Sequence, residues 1–433
     1  MTKMNVTGPR GRVAIVAGLR TPFVKSGTAF KDLTALQLAE ACVTELVARN
    51  DLDPEVVDQV VYGQVVPSTE APNIAREVVL GTGLPRRIEA YSVSRACATG
   101  TQALVSAAHA VLSGDADVVI CGGADSLSRP PITVSDGMAE ALMEANAARD
   151  AMGKAKAFLG LHAKDFLPKT PALREVSTGL TMGESAENMA KENRIARAAQ
   201  DAFALRSHRK ATAAWEEGVY ADEVMRFAVP PYQEVVVKDG LVRGDTSLEK
   251  LSALKPVFDP KYGSVTAGNS SPLTDGAAAL VVMSEARAKE LGYEALAFVR
   301  AWAFAAVDPA WQLLMGPGFA APRALERAGM RLADVDLVDM HEAFAAQMLS
   351  NLQAFASAAW ARQHLARDEA IGEVPDEKLN LYGGSISLGH PFAATGGRQA
   401  LTMARALARR GGGTALITQC AAGGLGAALI LER

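Results

Sequence analysis

The chain carries one supersecondary plan twice. CATGTQALVSAAHAVLSGDADVVICGGAD (97–125) parallels AATGGRQALTMARALARRGGGTALITQCAAGG (393–424). Each reads Ala-Thr-Gly, an Ala-rich helical run of about four turns, a glycine stop, and an apolar strand ending in Cys-Gly-Gly or Cys-Ala-Ala-Gly-Gly. A second pair, LDPEVVDQVVYGQV (52–65) and LADVDLVDMHEAFA (332–345), sets an acidic capping stretch before a short β-branched strand. Helices alternating with strands in two equivalent halves predict an α/β fold. Non-alternating runs such as DVVICGG and TALITQC predict strands buried on both faces, as in a mostly parallel sheet.

Between the halves the plan breaks. Residues 126–250 hold proline-edged helical runs, including TMGESAENMAKENRIARAAQDAFALRSHRKATAAWEEG (181–218), whose apolar positions recur at helical spacing. We therefore expect three units: 1–125 with 251–290 as the N-terminal half, 126–250 as a helical insertion, and 291–433 as the C-terminal half. The insertion lies where a lid over reactive loops would lie. Its Lys154, Lys156, Lys164 and Lys169, interleaved with Phe158, Leu159, Leu161 and Phe166, suit an ordinary solvated face or contact with a membrane surface or a partner.

Composition removes several function classes. A formal charge of −4 over 433 residues, without a Lys/Arg-rich run, offers no footprint for nucleic acid. Four cysteines, none in a CxxC pair, fit neither a disulfide framework nor a zinc site, so no metal is expected and a reducing compartment is. No apolar run reaches spanning length and the N-terminus lacks a secretory core. These points predict a cytoplasmic location.

Three segments carry candidate chemistry. SRACATGTQA (94–103) delivers Cys97 to a helix start, where unpaired N–H groups would favour the thiolate. GGSISLGHPFAATGGRQA (383–400) sets His390 in a Gly-rich turn, and TALITQCAAGGLGAALI (414–430) brings Cys420 to the mouth of another. Reactive groups on turns between rigid elements are the usual plan of a covalent catalyst. Cys42 and Cys121 read as packing residues, and His109, His162, His208 and His364 as structural.

RVAIVAGLRTPF, SRACATGTQA, GGADSLSRPP, TMGESAEN, KPVFD, GSVTAGNSSPLTDGAAA, HEAFAAQ, GGSISLGHPFAATGGR and CAAGGLGAA follow one another in the order and spacing of the thiolases. The chain resembles that family along its whole length. His341 in HEAFAAQ and the CAAGG ending make it most similar to the thiolase (beta) subunit of fatty-acid oxidation trifunctional complexes; stand-alone thiolases usually have Asn and Gly at those positions. The resemblance implies two duplicated βαβαβαββ halves in five αβαβα layers, with the insertion over the site. It also implies cleavage of a 3-ketoacyl-CoA by CoA. Cys97 would be the acylated nucleophile, His390 its base, Cys420 the proton shuttle, and His341 with His390 the enolate donors. The N–H groups of Cys97 and Ala422 would hold the oxyanion, provided Ala422 keeps a negative φ. Coenzyme A would be a co-substrate with no permanently bound cofactor, Ser271 lying against its pantetheine arm and Arg243 against its adenine or phosphates. A homodimer and a hydratase/dehydrogenase alpha subunit are the implied partners.

Two other activities and one inactive role compete with this reading. A biosynthetic acetoacetyl-CoA thiolase would differ in the chain length it accepts, and a non-catalytic scaffold subunit would show no turnover. A ketoacyl carrier-protein synthase, with its Cys-His-His site, is disfavoured by Cys420.

Overall fold

The computed structural model describes residues 6–169 and 174–433. Its main strands are β1 (Gly11–Arg20), β2 (Gln59–Gly63), β3 (Glu89–Val93), β4 (Val118–Asp125), β5 (Thr274–Ser284), β6 (Ala297–Ala306), β7 (Leu337–Met340), β8 (Thr414–Ala421) and β9 (Leu425–Glu432). They form one hydrogen-bonded path, β7-β8-β9-β6-β1-β5-β4-β2-β3. The first four belong to the C-terminal half and the last five to the N-terminal half. Along the sheet, among the described residues, the halves pair through Ala297↔Ile15 and Phe298↔Ala14.

The helices that define the layers on this path are α1 (Ala35–Arg49), α2 (Thr99–Ser113), α3 (Gly316–Ala328), α4 (Ala345–Ala356) and α5 (Ala393–Arg410). Side-chain alternation assigns the layers. On β4, Val118, Ile120 and Ala124 face Leu38, Val43 and Leu46 of α1. Val119 and Cys121 face the opposite way, toward Ala103, Leu104 and Ala107 of α2 and Leu401, Ala404 and Leu407 of α5. In the other half Ile417, Leu429 and Leu431 meet the same two central helices, while Leu416, Ala428 and Ile430 face α3 and α4. The layers are αβαβα, with α2 and α5 as the shared centre.

The expectation of a mostly parallel sheet is corrected. Pairing is parallel only at β2–β3, β2–β4 and β7–β8, and antiparallel at the other junctions of the path. The tight Gly423-Gly424 turn, with φ of 80° and 70°, forces β8 and β9 into a hairpin. Strands lack alternation because helices cover both faces, which carries no information on strand direction. The C-terminal half also holds less strand than its twin: the position between α4 and α5 is reduced to one parallel bridge, Val338↔Leu379.

The segment between the halves contains helices Asp136–Ala147, Ala151–Lys156, Met182–Glu192 and Arg197–Glu216, and a small hairpin of Phe227–Val229 with Glu234–Val236. Thr181 and Glu184 close a capping box at the start of the third of these. Ser207, on the fourth, hydrogen-bonds Glu342 at 2.6 Å and so ties the insertion to the loop after β7.

The two central helices cross at bare backbone. A Cβ on Gly100 would lie 2.6 Å from the Ala393 carbonyl oxygen and 2.7 Å from the Gly397 nitrogen, and one on Gly396 would lie 2.3 Å from the Thr101 nitrogen. Gly100→Val is therefore expected to cost about 1–3 kcal/mol through overpacking, read as a fall in the denaturant midpoint. An unchanged midpoint would mean that the helices separate freely.

Candidate active site

Both halves aim their strand ends and helix starts at one place. Ala96, held at φ 45°, turns the chain so that Cys97 precedes α2; a left-handed alanine is a local strain that the surrounding contacts must sustain. Cys97 is half-buried. Burial pushes its thiol up to about 11, while the N–H groups of Ala422 and of Cys97 itself pull it down. The helix start does not produce a ready thiolate, contrary to the sequence expectation, because desolvation of the charged form outweighs the N–H donors. A thiol held this way needs a base to become a nucleophile.

His390 follows Gly389, whose φ of 104° places the imidazole at the entrance of α5. Its backbone N–H donates to Thr274 Oγ1 at 3.0 Å, and its Nδ1 pairs with Thr395 Oγ1 at 2.6 Å, within the first turns of that helix. His341 leaves the end of β7, its N–H bonded to the Thr418 carbonyl at 2.9 Å and its Nδ1 paired with Ser385 Oγ at 2.7 Å. The two rings lie 4.1 Å apart, centre to centre. Neither Nε2 has a hydrogen-bond partner, although both are buried. One ring nitrogen of each histidine and the Cys97 sulfur lie within 4.8 Å of one another. Burial, followed by the Arg398 charge, lowers His390 to about 3; burial and then the His390 charge lower His341. Both rings are therefore neutral at physiological pH.

Cys420 ends β8 opposite Gly426. Burial raises its thiol and the neighbouring Cys97 raises it further. The left-handed residues of the following turn are Gly423 and Gly424. Ala422 has no positive φ, and its side chain is accommodated without strain.

Arg243 and Ser271 line a separate groove of about 410 Å³, together with Lys25, His208, Lys250 and Ile386. Ile386, one of its lining residues, is the chain neighbour of Ser385, the partner of His341. The Ser271 N–H is held by the Ala343 carbonyl at 2.9 Å. His208, read from sequence as merely structural, forms part of the groove wall and accepts the Arg243 N–H at 3.3 Å. Sequence reasoning also missed Ser385 and Thr395, which orient the two rings, and Glu342. This buried carboxylate accepts from Ser207, from Asn380 at 2.7 Å and from the Ile386 N–H at 3.2 Å. The signal was present in the motifs themselves, as hydroxyls flanking His390 and an acid beside His341.

Two family models between them cover nearly the whole chain. The thiolase N-terminal domain model matches residues 13–286 and the thiolase C-terminal domain model matches residues 293–433. The chain is a thiolase. Proteins named 3-ketoacyl-CoA thiolase from Yersinia enterocolitica and Yersinia pestis are each 53% identical to this thiolase over 427 residues, covering 99% of its length and 98% of theirs. Human mitochondrial 3-ketoacyl-CoA thiolase in complex with CoA superimposes with a TM-score of 0.84 at 32% identity, over 100% of both chains. Bacillus anthracis acetyl-CoA acetyltransferase gives 0.82 at 34% identity, covering 97% of this thiolase and 98% of that chain.

His208 yields a pH prediction. Burial, and then the Arg243 charge, lower it from its ordinary 6.5 to about 4. The unfolded chain therefore binds a proton there that the folded thiolase does not, and stability falls as pH drops through 6.5 toward 4, by up to about 1.4 kcal/mol per pH unit. His208→Gln should shed that share of the slope in urea melts across this range. Parallel slopes for the two proteins would show that His208 titrates normally.

Proposed function

We infer that this thiolase is a 3-ketoacyl-CoA thiolase, an acetyl-CoA C-acyltransferase acting in fatty-acid β-oxidation. It cleaves a 3-ketoacyl-CoA with CoA into acetyl-CoA and a shortened acyl-CoA. The observation that carries the residue roles is the convergence of Cys97 with two buried imidazoles whose Nε2 atoms have no partner.

In this reading His390 Nε2 takes the Cys97 proton as the sulfur attacks the 3-keto carbon. The N–H groups of Cys97 and Ala422 hold the tetrahedral oxyanion. Collapse breaks the C2–C3 bond, leaving an acyl group on Cys97 and the enolate of acetyl-CoA, whose oxygen receives hydrogen bonds from His341 and His390. The Cys420 thiol protonates C2. The resulting Cys420 thiolate then deprotonates incoming CoA, whose sulfur attacks the acyl-Cys97 carbonyl and frees the enzyme. His390 returns its proton to the departing Cys97 sulfur.

Coenzyme A is assigned to the groove. Lys25, Arg243 and Lys250 supply positive charge for its phosphates, and Ser271 lies toward the reacting end. A second copy of the chain and a hydratase/dehydrogenase alpha subunit complete the proposed assembly. The segment between the halves exposes Leu159 and Phe166, 82% and 63% accessible, beside Lys156 and Lys164; this is the surface the reading gives to a membrane. Among the described residues no helix is long and apolar enough to cross one. The four cysteines are unpaired, which supports a reducing cytoplasm.

CoA-dependent cleavage of 3-ketoacyl-CoAs from short to long chain tests the reading directly. Rapid turnover of long substrates is the expected result. Activity on acetoacetyl-CoA alone would favour the biosynthetic alternative, and none at any length would favour a scaffold.

A further inference from the structure

Sequence spacing excludes a zinc motif, yet the fold assembles three metal-ligand types from distant segments. We propose that Cys97, His341 and His390 form a latent binding site for a thiophilic divalent cation, zinc(II) foremost, whose occupancy silences the enzyme reversibly. One thiol and two imidazoles with an open fourth position is a donor set that tetrahedral zinc accepts.

Geometry supports each requirement of such a site. The Cys97 sulfur and one ring nitrogen of each imidazole already lie within 4.8 Å of one another. Metal bonds of about 2.0–2.3 Å set ligand separations of roughly 3.3–3.6 Å in a tetrahedron, which small side-chain rotations reach from here. Each imidazole has its Nδ1 engaged by a hydroxyl, Ser385 at 2.7 Å and Thr395 at 2.6 Å. In the tautomer whose Nδ1–H donates to that hydroxyl, Nε2 presents its lone pair, and metal binding selects that tautomer of His341 over the Nε2–H form that donates to an enolate. This is the outer-shell pattern that orients histidine ligands in metal sites. Both Nε2 atoms are buried and unpartnered, so a cation arriving there displaces no protein hydrogen bond. Binding forms an S–metal bond and two N–metal bonds, and the Cys97 thiol proton leaves to solvent. No electron is transferred.

The site also differs from the other sulfurs of the chain. Cys42 is wholly buried in an apolar cluster of the N-terminal half and Cys121 in the one between the two halves, and Cys42 donates its S–H to the Leu19 carbonyl. Of the four, Cys97 alone is not fully buried.

The test uses cobalt(II) as a coloured stand-in for zinc. Full-length protein, stripped with a chelator and kept reduced, is titrated anaerobically with cobalt chloride while its electronic spectrum is recorded. The expected result is saturation at one equivalent, with tetrahedral ligand-field bands and a thiolate-to-cobalt charge-transfer band. That band should vanish in Cys97→Ser, whose fold is checked by circular dichroism. Ser385→Ala should weaken cobalt binding by about 10–100-fold while keeping the charge-transfer band. Zinc chloride should displace the cobalt and abolish turnover, and chelator should restore it. A spectrum without charge transfer, or a charge-transfer band that survives in Cys97→Ser, overturns the proposal; so does zinc inhibition that leaves the one-equivalent cobalt signal absent. The spectral readout requires no substrate, so its outcome is separable from the assignment of the reaction.

Discussion

Cys97→Ala is expected to lower thiolytic turnover by at least about 10⁴-fold while shifting stability by less than about 1 kcal/mol. The asymmetry follows from what the sulfur touches. Around it lie Ala96, Ala98, Ala421 and Ala427 with the larger Phe304 and Leu425, and the N–H groups of Ala422 and Cys97. Losing one half-buried sulfur leaves little void and strands no buried partner. Chemistry, by contrast, loses the atom to which the acyl group bonds, and the neighbouring Cys420 cannot inherit that role in place. Its own environment is buried and opposes ionisation, and it stands near the end of β8 rather than at the start of α2. Two measurements check the assignment: steady-state cleavage of a long-chain 3-ketoacyl-CoA, and mass analysis of the protein quenched during turnover. The wild type should carry an acyl adduct on the peptide holding Cys97, and the variant none. An adduct on Cys420, or turnover within an order of magnitude of wild type, would remove Cys97 from the nucleophile role.

The features legible in the sequence were those with a local signature. Cys97, His390 and Cys420 each sit beside glycines in turns, and the repeated helix–strand plan made the two halves visible without any structure. Burial left no comparable trace. The start of α2 advertised a favourable site for a thiolate, yet the two halves close over Cys97 and push its thiol up to about 11; that outcome depends on residues more than 300 positions away. Strand direction was also hidden, because coverage of both faces erases alternation whether neighbours are parallel or antiparallel. Ser385 and Thr395 looked like ordinary turn and helix-start hydroxyls, and only the fold turns them toward His341 and His390. The burial of Arg20 left no local signal in RVAIVAGLRTPF, yet Arg20 is among the largest wholly buried side chains of the described residues.

Arg20→Met is expected to destabilise the fold by about 3–5 kcal/mol, the largest loss among these substitutions. The guanidinium has no accessible surface and bridges two buried carboxylates: Nε donates to Glu223 at 3.0 Å, and Nη1 and Nη2 donate to the two oxygens of Asp239 at 2.6 and 2.9 Å. Burial opposes its charge, but Asp239 and Glu223 more than offset this, so its pKa lies above the ordinary value. The same acids hold other parts of the molecule. Asp239 accepts the Phe23 N–H at 2.7 Å, and Glu223 accepts from Thr402 Oγ1 of α5 at 3.0 Å. Arg20 thus joins β1, the insertion and the helix that carries Thr395. Methionine fills similar volume, so a cavity contributes little, and the cost comes from two buried anions left without their cation. Urea midpoints of both proteins should show this deficit, and adding Glu223→Gln to Arg20→Met should recover part of it. A deficit below about 1 kcal/mol would show that water rather than Arg20 satisfies the two acids.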